Sequence, residues 1–157
     1  MIRNDRQFSI AQARANRLET TESDVLRRIA AGEVSHQRGD LELRAVRGEL
    51  GTLRSELAAY ADLRDGRVGP GQLNAIEDLP ELLIRTRISA GLTQAALADR
   101  LGMKEQQIQR YEANDYQSVA LGRLIEIANA LELDLSGERS LDRKSTRLNS
   151  SHLGISY

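Results

Sequence analysis

The strongest constraint on the fold is a run of apolar residues that recur at alternating intervals of three and four positions. The run consists of Leu43, Val46, Leu50, Leu53, Leu57 and Tyr60. This spacing places the side chains along one stripe of an α-helix, as at the a and d positions of a coiled coil. Two interpretations are open: an intramolecular helical hairpin, or a short coiled coil that joins two copies of the chain.

The composition favours an all-α fold. Aromatic residues make up only 3% of the 157 residues, and the apolar residues are mostly Leu and Ala, which are typical of helices rather than sheets. A capping box that starts at Ser9 predicts a first helix over about residues 10–31. Asp40 is the predicted N-cap of a second helix, which ends near residue 64. Together these helices make an N-terminal helical arm, predicted for residues 1–65.

Several classes of function are disfavoured by what the sequence lacks. Without cysteine there is no disulfide and no Cys-ligated zinc, and the two histidines, His36 and His152, are too few for a histidine metal cluster. No glycine-rich phosphate loop occurs either, so we expect no catalytic residues, no metal and no cofactor, and do not expect an enzyme. No apolar run is long enough to span a membrane, and we therefore expect a soluble, cytoplasmic protein.

Two further segments divide the chain. Residues 66–72 contain three glycines and a proline, which indicates a flexible linker; we extend it over residues 66–78. Residues 142–157 resemble, in order, the translation of a short-read sequencing adapter. We interpret this segment as an artefactual tail and exclude it from the fold.

Between the linker and the tail, at residues 79–141, the pattern changes to short helices separated by single turn residues. Thr93 can cap one helix, and Gly102 supplies a turn that needs a residue tolerant of positive φ. Ala98 is small enough to lie where two helices cross, and Ile108 can anchor the second of them. A last helix, at about residues 119–131, is expected to turn Leu121, Leu124, Ile125 and Ala128 inward.

This region resembles the helix-turn-helix domain of the xenobiotic-response-element (XRE) family, which includes the phage Cro and repressor proteins. The resemblance covers residues 79–135 and rests on Gly91-Leu92-Thr93-Gln94, Leu97-Ala98, Leu101-Gly102, Ile108, Tyr111-Glu112 and the apolar residues from Leu124 to Leu135. It implies a lambda-repressor-like bundle. Residues 104–112, preceded by a helical arm, also resemble a subset of bacterial regulators with antitoxin-like members.

The resemblance implies that residues 104–113 form the recognition helix for the major groove of double-stranded DNA. Its predicted DNA-contacting residues are Lys104, Glu105, Gln106, Gln109 and Arg110. Gln94 matches a phosphate-binding position, and the expected phosphate contact in the loop after the recognition helix is Tyr116, Ser118 or a backbone N–H group. Arg87 and Glu112 match positions that are ion-paired in phage-repressor relatives, so we predict a salt bridge between them.

Two functions follow as hypotheses. The first is a sequence-specific bacterial transcription regulator, a repressor for example, that binds DNA as a homodimer. Residues 79–141 hold seven basic and nine acidic residues, a net charge of −2, so one copy should bind DNA weakly and a dimer would compensate. The alternative is an antitoxin that mainly binds and neutralises a toxin protein through the N-terminal helical arm and regulates its own operon.

Overall fold

A computed structural model describes residues 1–133, which form six α-helices and a 3-10 turn at Ile76–Asp78. The helices are α1 (Asp5–Ala30), α2 (His36–Arg64), α3 (Leu79–Ser89), α4 (Gln94–Arg100), α5 (Glu105–Ala113) and α6 (Leu121–Ala130). No strand occurs in this part of the chain, so the predicted all-α class is confirmed. Residues 134–157, with the predicted tail and the end of the predicted 79–141 domain, lie outside the described residues. Within residues 1–133 no helix is long and apolar enough to cross a membrane.

Both long helices begin earlier than the sequence predicted. Asn4 is the N-cap of α1, and its side-chain oxygen accepts a hydrogen bond of 2.9 Å from the Gln7 N–H. Ser9 lies inside the helix, where its hydroxyl donates to the Asp5 carbonyl. α2 begins after Ser35, and the predicted cap Asp40 is an interior residue. Asn and Ser are both favoured N-cap residues, and the earlier starts extend each helix by about one turn.

α1 and α2 pack against each other as an antiparallel hairpin, here called the helical hairpin (residues 5–64). Leu43, Leu50, Leu57 and Tyr60 of the apolar stripe are buried, and the two remaining stripe residues are half-buried. Near the connecting turn the helices approach so closely that a Cβ added to Gly39 would lie 2.4 Å from the Ile29 Cδ1. Of the two interpretations of the stripe, the structure therefore supports the intramolecular one.

The four short helices α3–α6 form a second bundle, here called the C-terminal bundle (residues 79–133). Gly91 has a φ of 67° and ends α3, and the Leu92 N–H donates to the Arg87 carbonyl, as in a Schellman motif. Buried apolar side chains from all four helices meet in its centre; they include Leu83, Ile84, Leu97, Ile108 and Ile127.

The helical hairpin and the C-terminal bundle share one hydrophobic core. Ile2 and Leu63 are buried in the same cluster as Leu79 and Leu83. The connecting segment is also attached to the bundle, because the Pro70 carbonyl accepts a hydrogen bond of 2.7 Å from Arg85 Nε. The glycine-rich segment was expected to separate two independent parts, whereas the apolar side chains on either side of it bring those parts into contact.

The inward face of α6 differs from the prediction. Ile127 and Ala128 are buried and Leu124 is half-buried, but Leu121 is 66% exposed and Ile125 is 48% exposed. The helix is rotated so that Ile127 faces the core, which leaves two apolar residues, four positions apart, on its outer side.

Candidate nucleic-acid interface

α4, the turn after it and α5 form a compact helix-turn-helix unit. Thr93 caps α4, since its hydroxyl oxygen accepts a hydrogen bond of 3.0 Å from the Ala96 N–H. Gly102, at a φ of 63°, ends α4, and the Met103 N–H donates to the Ala98 carbonyl at 2.9 Å. Ala98 is only 1% exposed, as expected of a small residue at the contact between two helices. The sharp turn needs a residue without a Cβ, because L-residues rarely adopt positive φ.

α5 has one buried side and one exposed side. Ile108 and Glu112 are fully buried. Five of the predicted DNA-contacting residues are exposed on α5 or at its N-cap: Lys104, Glu105, Gln106, Gln109 and Arg110. Gln109 Nε2 donates to Glu105 Oε1 at 2.8 Å, so these two side chains are engaged with each other along one edge of the helix. The exposed side of α5 therefore presents an amide and a guanidinium, from Gln106 and Arg110, to solvent.

The predicted ion pair between Arg87 and Glu112 is confirmed. Arg87 Nε lies 2.5 Å from Glu112 Oε1, and Nη2 lies 2.8 Å from Oε2, which makes the pair bidentate. The two side chains are 2% and 0% exposed. Arg87 Nη1 also donates to the Leu92 carbonyl at 2.8 Å. The pair therefore joins α3, the turn after it and α5, and it sets the position of α5 relative to the bundle.

Gln94 begins α4, as predicted, but its side chain is enclosed. It is only 7% exposed, with Nε2 donating to Glu112 Oε2 at 2.8 Å and Oε1 accepting from Asn4 Nδ2 at 3.1 Å. Because protein groups occupy both ends of the amide, the expected side-chain contact with a phosphate is not available in this conformation. Gln94 instead orients Glu112.

The prediction that the Tyr116 side chain contacts a phosphate is wrong. Its side chain is 4% exposed within the hydrophobic core, and its hydroxyl has no hydrogen-bond partner among the described residues. Burial, together with the nearby Glu112 carboxylate, raises the pKa of this phenol well above its ordinary value. Ser118 is exposed in the same loop, where it remains a candidate contact.

The loop after α5 has an unusual backbone. Asp115, Tyr116 and Ser118 have φ values of 48°, 56° and 65°, a region that non-glycine residues rarely adopt. Bulky residues such as Tyr are especially uncommon there. Burial of the Tyr116 ring in the core holds this conformation, so the position of the loop depends on the bundle packing.

The N-terminal segment, residues 1–7, reaches the edge of this unit, which sequence reasoning did not anticipate. Arg87 Nη2 donates to the Arg3 carbonyl at 2.7 Å, and Arg3 Nη2 lies 2.6 Å from Asp115 Oδ1. The contacts join residues separated by 84 and 112 positions. No local pattern in the sequence could have indicated them, because periodicity and capping signals extend over only one or two turns.

Comparison with known proteins identifies the C-terminal bundle. A family profile described as Helix-turn-helix matches residues 83–137. No curated protein and no solved structure gives a significant match to the chain. The matched range includes α4, the glycine turn and α5, together with the buried pair between α3 and α5. The match and the geometry of α4, the glycine turn and α5 therefore agree that the C-terminal bundle contains a helix-turn-helix domain, a type of domain that binds DNA.

Proposed function

We propose that the protein is a sequence-specific transcription regulator that reads the major groove of double-stranded DNA with the exposed side of α5. The observation that carries the proposal is the division of α5 into two sides. Ile108 and Glu112 hold the helix in the bundle, whereas Gln106 and Arg110 are exposed. Lys104 lies at the N-cap of α5, the end expected to enter the groove first.

The exposed side chains have the chemistry needed to distinguish base pairs. A guanidinium such as that of Arg110 can donate two hydrogen bonds to guanine, and an amide such as that of Gln106 can pair with adenine. The carboxylate of Glu105 can accept a hydrogen bond from cytosine, and the charge of Lys104 suits guanine or a phosphate. About two helix turns thus combine donors and acceptors for three different bases.

We further propose that the protein binds DNA as a homodimer. The stripe on α2 is buried within the hairpin, so it is not free to form a coiled coil between copies. Leu121 and Ile125 of α6 instead offer an exposed apolar surface on the C-terminal bundle itself. A contact there would place two recognition helices on one duplex and double the phosphate contacts of a domain whose net charge is negative. Sedimentation equilibrium should give twice the chain mass, and Leu121→Glu should shift it to the monomer.

The first experiment is selection of bound sequences from random duplex DNA. We expect the wild-type chain to enrich one sequence, and Arg110→Ala and Gln106→Ala to relax that preference at separate positions. Loss of one bidentate base contact should cost about 1–3 kcal/mol of discrimination. Binding must be compared at one salt concentration, because the non-specific component depends strongly on salt.

The matched control for the selection is Arg44→Ala, which removes an exposed arginine from α2, far along the chain from α5. It should leave the selected sequence unchanged. If Arg110→Ala weakened binding to the selected and scrambled duplexes equally, the role of Arg110 in base recognition would be refuted.

A second function is favoured by the tip of the helical hairpin. Leu26 is 45% exposed and Leu41 is 64% exposed, and both lie near the turn between α1 and α2. Apolar residues at this tip fit an antitoxin that binds and neutralises a toxin protein. A wild-type chain that enriched no sequence in the selection, even as a dimer, would make this the leading function.

A further inference from the structure

The N-terminal segment is fixed beside the recognition helix by three contacts. The Arg3 carbonyl accepts a hydrogen bond from Arg87, the Arg3 guanidinium pairs with Asp115, and Asn4 donates to Gln94. Ile2 anchors the segment, since its side chain is buried in the shared core. The side chains that follow Asn4 therefore have a defined position relative to α5.

Arg6 carries a charge that the described residues leave unpaired. Its side chain is exposed, and no Asp or Glu among residues 1–133 forms a salt bridge with it. Arg6 also lies in the first turn of α1, where the helix dipole disfavours a positive charge. By contrast, Arg14, Arg47 and Arg54 on the hairpin are each paired with a glutamate. An anion beside Arg6 would offset both the missing partner and the dipole.

Arg6 faces the recognition unit across two clefts. One cleft, of about 460 Å³, is lined by Arg6, Thr93, Gln94 and Gln109, among others. The second, of about 600 Å³, is lined by Arg6, Gln94, Gln109 and Ala113, among others. Both clefts border the position that the XRE resemblance assigns to a DNA phosphate, the enclosed Gln94. Within residues 1–133, Arg6 is therefore a cation without an acidic partner, placed where Gln94 cannot make that contact.

The N-terminal segment flanks the exposed side of α5 and leaves it open. Gln106 and Arg110 line neither of the two clefts, so the segment lies along the edge formed by Glu105, Gln109 and Ala113. The pairing of Arg3 with Asp115 also neutralises an acidic residue in the loop after α5, which would otherwise repel a phosphate. This arrangement can accept a DNA backbone beside the N-terminal segment while α5 occupies the major groove.

We propose that Arg6 binds a backbone phosphate of the same duplex that α5 reads. This inference rests on the proposed function and adds to it a DNA contact from outside the helix-turn-helix domain. It explains how a domain with a net negative charge binds a polyanion: part of the phosphate-binding charge comes from the first turn of α1. Because a phosphate contact carries no sequence information, Arg6 then raises the affinity for every DNA sequence equally.

The test is to titrate the selected and scrambled duplexes with the full chain carrying Arg6→Gln, over a range of salt concentrations. Affinity for both duplexes should fall by the same factor, roughly 8-fold near 0.1 M salt, and the slope of log K against log salt should decrease by about 0.9. Arg6→Lys should keep most of the slope, because a single phosphate contact needs the charge rather than the guanidinium geometry.

Arg17→Gln is the matched control. Arg17 is exposed on the same helix and has no acidic partner within residues 1–133. It lies eleven residues, and therefore about 16 Å, further along nearly the same side. It should leave affinity and slope unchanged. Unchanged binding by Arg6→Gln would overturn the inference while the sequence preference of the wild type still supported the regulator. An increase in affinity would also overturn the inference, because it would show that Arg6 hinders the binding of DNA. A wild type that bound neither duplex would refute both proposals.

Discussion

Arg–Glu pairs occur in both parts of the molecule, but in very different surroundings. In the helical hairpin, Arg47–Glu22 and Arg54–Glu19 connect α2 to α1 at 2.6 and 2.7 Å, with all four side chains at least 22% exposed. In the C-terminal bundle, the Arg87–Glu112 pair is almost completely removed from solvent. Water competes for the hairpin pairs and screens them, whereas the bundle pair has replaced its water with protein hydrogen bonds.

The hairpin and the bundle therefore hold their helices together by different interactions. Exposed pairs typically contribute 0–1 kcal/mol each, so the hairpin depends on its apolar stripe. The bundle depends in addition on a polar network in which Arg87, Glu112 and Gln94 satisfy one another. Such a network fixes geometry because each member becomes a buried unpaired group when another is removed.

Breaking the buried pair should give the largest effect. We expect Glu112→Ala to lower the free energy of unfolding by about 3–5 kcal/mol, since it leaves the Arg87 charge buried without its carboxylate. Urea denaturation followed by circular dichroism measures this loss. Glu19→Ala, which breaks an exposed pair in the hairpin, should cost less than about 1 kcal/mol.

Equal losses from Glu112→Ala and Glu19→Ala would contradict the comparison between the two parts. Replacing both partners, as in Arg87→Met with Glu112→Leu, should recover much of the loss seen with Glu112→Ala, because no uncompensated charge remains. A double variant no more stable than Glu112→Ala would show that bundle packing, rather than the stranded charge, causes the destabilisation.

Leu50 tests whether the two parts unfold together. This residue lies in the hairpin, is 2% exposed and belongs to the shared core. Leu50→Ala should cost about 3 kcal/mol through lost burial and the resulting cavity. Because the core is continuous, we expect one unfolding transition in a Tyr60→Phe background, which removes the tyrosine of the hairpin, with the remaining tyrosine fluorescence and total helicity changing at the same urea concentration. Two separated transitions would instead show that the hairpin and the bundle unfold independently, as the glycine-rich segment suggested.

A smaller difference in stability is expected between variants of two buried tyrosines. The Tyr60 hydroxyl in the hairpin donates to Asp5 Oδ1 at 3.0 Å, whereas the Tyr116 hydroxyl in the bundle has no partner among the described residues. Tyr60→Phe should therefore cost about 1 kcal/mol, and Tyr116→Phe should be neutral or stabilising. Thermal denaturation of the two variants at neutral pH makes the comparison. A larger loss for Tyr116→Phe than for Tyr60→Phe would contradict it.

The raised pKa of Tyr60 predicts that the free energy of unfolding decreases at alkaline pH. Burial, and next the hydrogen bond to Asp5, raises the pKa of Tyr60 to about 12 from its ordinary value of 10.0. The folded state thus holds the phenol proton more tightly than the unfolded state does. The resulting stability is fully present below pH 10 and is lost as the pH rises toward 12. Tyr60→Phe should make this part of the stability profile less steep without flattening it, because the pKa of Tyr116 is raised as well.

Much of the C-terminal bundle was predictable because its signals are local. Thr93, Gly91 and Gly102 mark where α3 and α4 begin or end, and each acts on backbone groups within a few residues. The predicted starts of the two long helices were wrong by about one turn. Asn4 and Ser35 compete with Ser9 and Asp40 as N-caps, and nothing local distinguishes between them.

Some features of the candidate site were likewise predictable from local sequence signals, and others were not. The exposed positions on α5 follow from helical periodicity around Ile108. The enclosure of Gln94 and the burial of Tyr116 do not, since they depend on Asn4 from the far end of the chain and on a loop with three positive φ values. A polar residue in a matching family position can thus have its partners inside the protein instead of on DNA.

Three features could be predicted from the residues alone: the helical class of residues 1–133, the helix-turn-helix unit, and the pairing of Arg87 with Glu112. Each of these depends on residue spacing or on a resemblance carried by small, turn and apolar positions. Two other features came from the packing of whole helices: α1 covers the apolar stripe of α2, and the N-terminal segment lies beside α5. Residue 3 is far along the chain from residues 87 and 115, so their contacts depend on how whole helices pack and leave no local signal in the sequence.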